Sequence, residues 1–208
     1  MRRLGRGLLA LPLLLAAPPA GATGTGAVEG RVRIAVEGAS AFDVGPIVVY
    51  LEPVDALPGP RPPAARVPRI RQRDARFSPG FLVVSAGQEV SMPNEDRIYH
   101  NVFSYSKGNR FDLGLYAGGE SRSVTFDRPG IVKIYCSIHE SMSASVYVAP
   151  TPLFAQVSES GHFSLEQVPA GRYRLRSWCE RLPEAQREVR VEAGRTLAVE
   201  LEIGAAGP

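Results

Sequence analysis

The chain has 208 residues, of which 44% are hydrophobic and 22% are charged, and this composition is that of an ordinary globular protein. The formal net charge of +3 comes from Arg2, Arg3 and Arg6, because the first 22 residues hold no acidic residue. The remaining 21 basic and 21 acidic residues balance. This balance excludes nucleic-acid binding as a default function, since neutralising phosphates needs a surplus of Lys and Arg.

The first 22 residues have the three parts of a signal peptide in the usual order. A basic stretch precedes ten apolar residues at 8–17, and Ala20, Gly21 and Ala22 then supply the small residues of a cleavage site. Ten apolar residues are too few to cross a bilayer, which takes about 20. No later segment is apolar enough to cross one. We therefore expect residues 1–22 to be removed and the mature protein to be exported, soluble and periplasmic.

Short β-type segments then follow one another between glycines and prolines. Most of them alternate apolar with polar residues, which is typical of strands with one buried face. The predicted strands lie at 30–37, 46–53, 81–86, 88–93, 121–127, 131–136, 143–149, 162–168, 172–178, 187–192 and 196–203. No stretch keeps a helical apolar period over three turns, so the sequence predicts an all-β protein. The last residues, 204–208, are predicted to be a disordered tail.

Two breaks divide these strands into groups. Residues 55–68 contain five prolines and no periodicity, which predicts an extended linker or an exposed loop. A second break follows residue 149, and residues 69–149 are enough for one small β-sandwich. The flanking groups hold two and four predicted strands, and a lone two-stranded hairpin is marginal in water. We therefore expect 27–54 and 152–203 to form a second, smaller sandwich into which the central unit is inserted.

Two of the three histidines stand in a pattern that indicates a metal site. His100 lies in the stretch HNVFS, and 36 residues later the stretch CSIHESM gives Cys136, His139 and Met142 the spacing Cys-x2-His-x2-Met. Two imidazoles, one thiolate and a weak thioether are the ligand set of a trigonal copper site with an axial methionine. The thiolate bonds both Cu(I) and Cu(II), and imidazole suits both states. The ligand positions then need to change little when the copper gains or loses an electron.

Strand alternation predicts that these side chains converge. Cys136 shares a face with the apolar residues of the strand before it, and Met142 with those of the strand after it. His100 shares a face with the apolar residue two positions further on. All three are predicted to point into one apolar interior, while the short loop 137–141 brings His139 across the top.

A zinc site and a disulfide are the alternatives for these residues. Zinc also binds Cys and His, but Met142 argues against it, and no second cysteine or carboxylate lies at ligand spacing. Cysteines of exported proteins usually form disulfides, yet a bond between Cys136 and Cys179 would destroy the copper site. We expect Cys179 to be a partly buried thiol, with a second metal ligand or a mixed disulfide as alternatives. The third histidine, His162, is predicted at the surface.

The central unit, residues 69–149, resembles the cupredoxins, the plastocyanin-like blue copper proteins. The resemblance rests on HNVFS, on FDLG at 111–114, and on PG-x-V-x-x-YC-x-x-H-x-x-M at 129–142. The short step from Cys136 to Met142 is similar to the ligand loop of the amicyanins. Exported proteins labelled methylamine-utilisation or plastocyanin-like are also similar. The resemblance implies a Greek-key β-sandwich that transfers single electrons.

The same resemblance implies a role for Asn101 beside the ligands. It implies that Asn101 ties the two ligand loops together by hydrogen bonds and donates toward the Cys136 sulfur. Asp96 and Asp112 flank the motifs and are predicted to be turn-forming side chains. With two histidines assigned to copper, no Ser-His-Asp set can be assembled, so we do not expect an enzyme. The expected partner is a redox protein such as a c-type cytochrome or an amine dehydrogenase, and the expected state is a monomer.

The flanking residues resemble a different module, the carboxypeptidase-regulatory or transthyretin-like sandwich. The stretch GHFSLEQVPAGRYRLRSW at 161–178 has its pattern G-x-F-x-L followed by P-x-G-x-Y-x-L. Such modules are usually adhesive or structural. A copper-binding or delivery protein, or an envelope interaction module with an incidental metal, is therefore the alternative to an electron carrier.

Overall fold

The structure, a computed structural model, describes residues 24–55 and 67–204. The predicted signal peptide at 1–22 lies outside the described residues. So do residues 56–66 of the predicted linker and residues 205–208 of the predicted tail.

The described residues are almost entirely β, and the predicted all-β class is confirmed. They contain one helix, α1 (Ala41–Val44), and no helix among them is long and apolar enough to span a membrane. The strands are β1 (Thr25–Ile34), β2 (Ile47–Pro53), β3 (Arg71–Arg73), β4 (Arg76–Ser78), β5 (Phe81–Ser85), β6 (Gln88–Pro93), β7 (His100–Ser104), β8 (Phe111–Tyr116), β9 (Ser121–Phe126), β10 (Gly130–Tyr135), β11 (Ser143–Ala149), β12 (Phe154–Gln156), β13 (His162–Pro169), β14 (Gly171–Cys179), β15 (Gln186–Val191) and β16 (Thr196–Ile203).

The strands from β3 to β11 build the central half of the molecule as two layers. One layer is a five-stranded sheet with the order β5-β11-β10-β7-β8. The other contains the antiparallel pair β6–β9, which the β3–β4 hairpin extends through parallel bridges from Arg69 to Ser91 and from Gln72 to Asn94. Apolar side chains of both layers meet in one core, because each strand turns alternate residues inward. This core consists of Ile70, Phe77, Val84, Val90, Met92, Val102, Tyr116, Phe126, Val132, Ile134, Cys136, Met142, Ala144, Val146 and Val148.

Strands from the two ends of the chain build the outer half. Its sheets have the orders β13-β1-β16 and β12-β2-β14-β15, so strands that precede residue 54 pair with strands that follow residue 153. Five strands follow the second break, one more than the four predicted, because Phe154–Gln156 adds the short strand β12 to the edge of β2. The chain thus leaves the outer half at β2 and re-enters it at the neighbouring strand.

The two halves pack sheet against sheet. Tyr147 of β11 stacks on Trp178 of β14 with ring centroids 4.2 Å apart, and Phe81 of β5 stacks on the same indole at 6.1 Å. At the edge of this interface the Lys133 ammonium lies 2.7 Å from the Glu180 carboxylate. The remaining members of the interface cluster are Val48, Tyr50, Val83, Ile131, Ala149 and Phe154. The outer half therefore covers part of the outward face of the five-stranded sheet.

Candidate metal centre

Three strand ends place the candidate ligands. His100 opens β7, Cys136 directly follows β10, and Met142 directly precedes β11. Two backbone hydrogen bonds close the connection between β10 and β11. The N–H of Cys136 donates to the Met142 carbonyl at 3.2 Å, and the N–H of Met142 donates to the His139 carbonyl at 3.0 Å. This tight loop fixes His139 beside the end of β10.

The burial of these residues agrees with the predicted alternation. Cys136 and Met142 lie in the core of the central half, and their side chains continue the buried sets of β10 and β11. His100 is fully buried at 0% exposure, whereas His139 is half-buried in the loop. Which of the four side chains bind a metal stays a prediction.

Three donor atoms converge at a spacing that suits a metal ion. The Nδ1 atoms of His100 and His139 are 3.1 Å apart. The Cys136 sulfur lies 4.0 Å from the first and 3.7 Å from the second. Nitrogen and sulfur ligands bind a metal at about 2.0 to 2.3 Å, which leaves them about 3 to 4 Å from one another. A soft thiolate with two imidazoles, largely shielded from water, is a donor set that fits copper.

A carboxylate sets the orientation of the His100 ring. The Nε2 atom of His100 lies 2.7 Å from Oδ2 of Asp96. An ionised carboxylate only accepts hydrogen bonds, so Nε2 carries the ring proton and Nδ1 presents its lone pair to the site. Outer hydrogen bonds of this kind fix both the tautomer and the orientation of a ligating histidine.

Asp96 also holds the turn of the β3–β4 hairpin. Its carboxylate accepts hydrogen bonds from the backbone N–H groups of Asp74 at 2.7 Å and Ala75 at 3.0 Å. Burial raises the pKa of Asp96, but the hydrogen bonds from Ala75, His100 and Asp74 outweigh it and lower that pKa below its ordinary value. The predicted role as a turn-forming side chain is therefore incomplete. Sequence reasoning missed the bond to His100, for which the four-residue step from Asp96 is the only signal.

Asn101 joins the two segments that carry the candidate ligands. Its Oδ1 accepts a hydrogen bond from the N–H of Ser137 at 2.7 Å. Its Nδ2 donates to Oδ1 of Asp112 at 2.9 Å rather than toward the Cys136 sulfur. Asp112 lies within β8 rather than in a loop, and it also accepts from the N–H of Gly114, two residues on, at 2.8 Å, which is the local bond predicted for a turn-forming side chain. A carboxylate is a stronger acceptor than a thiol, which accounts for this direction of the Asn101 amide.

A buried polar network supports the segment before His100. The Tyr116 hydroxyl donates to the Met92 carbonyl at 2.7 Å, and the Gln72 amide bonds both that carbonyl and the hydroxyl. The Asn94 amide donates to the carbonyls of Ile98 at 2.9 Å and Tyr116 at 3.1 Å. Burial raises the pKa of Tyr116 to about 12, so the phenol stays protonated and can donate at neutral pH. These hydrogen bonds therefore hold the loop from 94 to 98 in place.

The two cysteines lie in different cores, and both are free thiols. Cys179 is buried in the outer half, with its sulfur 3.7 Å from the Val44 carbonyl oxygen. Within the described part of the chain, one group of His, Cys, Asp and Glu side chains has the geometry to hold a metal ion, and it consists of His100, Cys136 and His139. The alternatives of a Cys136–Cys179 disulfide and of a second metal site at Cys179 therefore find no support.

Four exposed apolar residues adjoin the two candidate histidine ligands in the sequence or by strand pairing. Ile138 precedes His139 in the ligand loop, and Ile98 and Tyr99 precede His100. Leu115 of β8 is paired with Asn101, next to the same histidine. We call these four exposed residues, Ile98, Tyr99, Leu115 and Ile138, the apolar rim.

Comparisons with known proteins point to one family for the central half. Residues 67–149 match the family model of the copper binding proteins, plastocyanin/azurin family. No curated protein matches the chain. Among solved structures, the chain is similar to a purple cupredoxin from Nitrosopumilus maritimus, with 23% identity, 39% of this chain and 99% of that chain covered, and a TM-score of 0.36.

The chain is similar to two further solved structures. Amicyanin from Paracoccus versutus has 20% identity, with 42% of this chain and 86% of that chain covered and a TM-score of 0.37. A copper-containing nitrite reductase from Thermus scotoductus has 23% identity, with 47% of this chain but only 25% of that chain covered and a TM-score of 0.39. The family match covers the strands and the loop that hold the converging donor atoms. Residues 67–149 are therefore a cupredoxin domain of the plastocyanin/azurin family, and the cofactor of this domain is copper.

Proposed function

We propose that this chain is an exported, periplasmic electron carrier with one type 1 copper site, whose ligands are His100, Cys136, His139 and Met142. The observation that carries the proposal is the convergence of two Nδ1 atoms and one thiol sulfur, none more than 4.0 Å from another, in a domain of a copper-binding family. Bound copper supplies a one-electron couple between Cu(II) and Cu(I). The side chains position the copper, shield it from water and provide the route by which electrons reach the surface.

The protein's contribution is a set of hydrogen bonds that hold the proposed ligands in place. The bond from Asp96 directs the lone pair of His100 Nδ1 inward, and the backbone bonds of the ligand loop fix His139 and Met142 relative to Cys136. A pocket held this rigidly changes little between two oxidation states. Its apolar surroundings limit the entry of water and help to set the potential.

Electrons are proposed to enter and leave through the edge of His139. This ring is half-buried, whereas His100 and Cys136 are buried. The apolar rim includes Ile138, the residue before His139, and suits transient docking of a redox protein such as a c-type cytochrome or an amine dehydrogenase. No substrate is transformed in this proposal. With two of the chain's three histidines placed here and the third, His162, exposed on β13, a second histidine-rich copper centre has too few ligands.

The spectrum of the copper-loaded protein tests this proposal. We expect an intense visible absorption from charge transfer between the Cys136 sulfur and Cu(II), together with a reversible one-electron couple. Cys136→Ala should lose the visible band, while the matched variant Cys179→Ala, whose thiol lies in the other core, should keep it. A colourless copper-loaded protein would falsify the electron-carrier assignment.

The outer half motivates a second candidate function. A small electron carrier does not need the two sheets formed by 27–54 and 152–203, which we propose to be one carboxypeptidase-regulatory-like or transthyretin-like module. That module suits a copper-delivery protein or an envelope interaction protein instead. The two functions differ in what the protein passes to its partner. An electron carrier exchanges electrons with a cytochrome and keeps its copper, whereas a delivery protein transfers the metal to an acceptor.

A further inference from the structure

The turn of the β3–β4 hairpin has an unfavourable backbone conformation. Arg73 pairs with Arg76, so Asp74 and Ala75 form a two-residue turn. Both have a positive φ, 55° and 52°, at the two positions where a tight hairpin turn usually has asparagine and glycine. Alanine is strained in this region of backbone space. The turn therefore depends on contacts outside it.

The Asp96 carboxylate provides such a contact. The N–H groups of Asp74 and Ala75 donate hydrogen bonds to its two oxygens at 2.7 Å and 3.0 Å. Successive N–H groups that converge in this way form a concave anion-binding site. The anion that occupies this site is a side chain that also bonds Nε2 of His100 at 2.7 Å. One carboxylate therefore separates the strained turn from a candidate ligand.

A second turn packs against the backbone of Asp96. Residues 117–120 connect β8 to β9, and the N–H of Gly119 donates to the Asn94 carbonyl at 2.8 Å. A Cβ atom on Gly118 would lie 1.9 Å from the Asp96 carbonyl oxygen, whereas real Cβ atoms essentially never come within 3.0 Å. The opposing atom belongs to the backbone, so no side-chain rotation relieves this clash. A side chain at 118 would push the turn and the Asp96 backbone apart by about 1 Å.

The close approach to Asp96 is the specific reason for glycine at position 118. The φ of Gly118 lies outside the left-handed region, unlike that of Gly119 at 85°, so the backbone conformation alone does not require glycine there. Gly118 is also exposed, and an alanine at an exposed position usually changes stability little.

We propose that these two turns, 74–75 and 117–120, clamp Asp96 and so position His100 for the copper. This inference rests on the proposed function. Asp74, Ala75 and Gly118 are then positioning residues, since outer partners orient a ligating histidine. The N–H groups of the first turn fix the carboxylate, and the second turn fixes the backbone of the same residue. A displacement of about 1 Å is enough to take the 2.7 Å bond to His100 out of hydrogen-bonding range.

Gly118→Ala in the copper-loaded mature protein tests the clamp. We expect the copper affinity, measured by competition with a chelator, to fall by about 10- to 100-fold. We also expect voltammetry to show a higher reduction potential, because His100 loses a negative partner that favours Cu(II). The matched control is Gly80→Ala in the same domain, whose Cβ would meet nothing within 4 Å and which should change neither quantity. Unchanged affinity and potential in Gly118→Ala would overturn the inference.

A double-mutant cycle shows whether the effect passes through Asp96. In the Asp96→Ala background, Gly118→Ala should shift the potential no further, because the group through which it acts is already gone. A shift that adds in full to that of Asp96→Ala would overturn the inference, since the turn would then act on the copper by another route.

A glycine inserted between Asp74 and Ala75 tests the other side of the clamp without a steric clash. It separates the two N–H groups and should change affinity and potential in the same direction, whereas the same insertion after Gly108 should not. If circular dichroism shows that Gly118→Ala does not fold, this insertion decides, and unchanged values overturn the inference. A wild type with no visible band or reversible couple contradicts the proposed function instead, while chelator competition still tests the clamp.

Discussion

Asp96 links the chemistry of one ring nitrogen to the conformation of a hairpin more than 20 residues earlier in the chain. Its carboxylate holds the proton on His100 Nε2 and at the same time accepts two N–H groups from the turn at Asp74 and Ala75. These bonds keep its pKa below the ordinary value despite partial burial, so the group is ionised at neutral pH. A negative charge next to a ligating imidazole favours the more positive oxidation state of the metal.

Replacing Asp96 with asparagine should therefore weaken copper binding and raise the reduction potential. We expect Asp96→Asn to lower copper affinity by about 10- to 100-fold, the usual effect of losing an outer hydrogen-bond partner. Competition with a chelator measures the affinity, and voltammetry measures the potential. The matched control is Asp74→Asn, which removes an exposed carboxylate of the same hairpin and should change neither quantity. Equal affinities in both variants would rule out a positioning role for Asp96.

At this scale the sequence predicts the candidate ligands and the face on which they lie, but not the hydrogen bonds that orient them. The spacing of Cys136, His139 and Met142 identifies a candidate ligand loop because these residues are nearly contiguous, and HNVFS adds His100. The hydrogen bond between His100 and Asp96 could not be predicted, because a carboxylate that precedes a strand is equally consistent with a turn. The orientation of the Asp96 carboxylate depends on the β3–β4 hairpin, whose turn donates two hydrogen bonds to it.

The connection between β10 and β11 is the element that sets the geometry of the ligand loop. Tyr135 and Ser143 are the last paired residues of the two strands, and the loop between them is closed by the bonds from Cys136 N–H to Met142 O and from Met142 N–H to His139 O. A loop this short leaves His139 and Met142 little freedom relative to Cys136. The length of this loop therefore helps to determine the geometry of the candidate metal site.

Lengthening this loop should change the site without unfolding the domain. Inserting two glycines after Glu140 separates His139 from Met142, and we expect a weaker, shifted visible band and faster loss of copper to a chelator. Absorption and circular dichroism spectra measure the site and the fold. The same insertion after Gly108, in the exposed turn between β7 and β8, is the matched control and should leave the band unchanged. A band unaffected by the first insertion would contradict the role of loop length.

Alternating patterns predict the longer strands, and short or irregular strands carry no such signal. Strands β3, β4 and β12 have three residues each, too few to show a period. Strand β8 contains Asp112 and Gly114, and its pairing with β7 shifts register between Asn101 and Phe103. Gly114 adopts a φ of 65°, which favours glycine and interrupts the apolar alternation.

At the scale of the whole molecule, the sheet that carries Cys136 is buried on both faces over part of its area. Its inner face packs in the core of the central half, and Phe81 and Tyr147 of its outer face pack on Trp178. The sequence contains a trace of this arrangement, because FLVVS and SVYVA are nearly continuous apolar runs rather than alternating ones. Which surface covers them cannot be predicted, since the covering strand β14 follows far along the chain.

Removing this aromatic contact should uncouple the two halves. We expect Trp178→Ala to lower the free energy of unfolding by about 3 kcal/mol, the usual effect of truncating a packed aromatic side chain. We also expect one cooperative thermal transition to separate into two, which calorimetry of the copper-free protein measures. The control Tyr105→Ala truncates an aromatic residue that is 70% exposed and should change the stability little. A single unshifted transition in Trp178→Ala would show that the interface does not couple the halves.

The pairing of β2 with β12 means that the copper domain occupies the position of a hairpin turn. Tyr50 is the direct antiparallel partner of Phe154, and the N–H of Leu51 donates to the Leu153 carbonyl at 2.9 Å. A two-residue Asn-Gly turn in place of residues 54–150 would join these strands in register, since that dipeptide favours tight hairpins. The pairing of β2 with β12 therefore needs none of residues 54–150, and we expect the sheet of the outer half to keep its register with a different segment at that position.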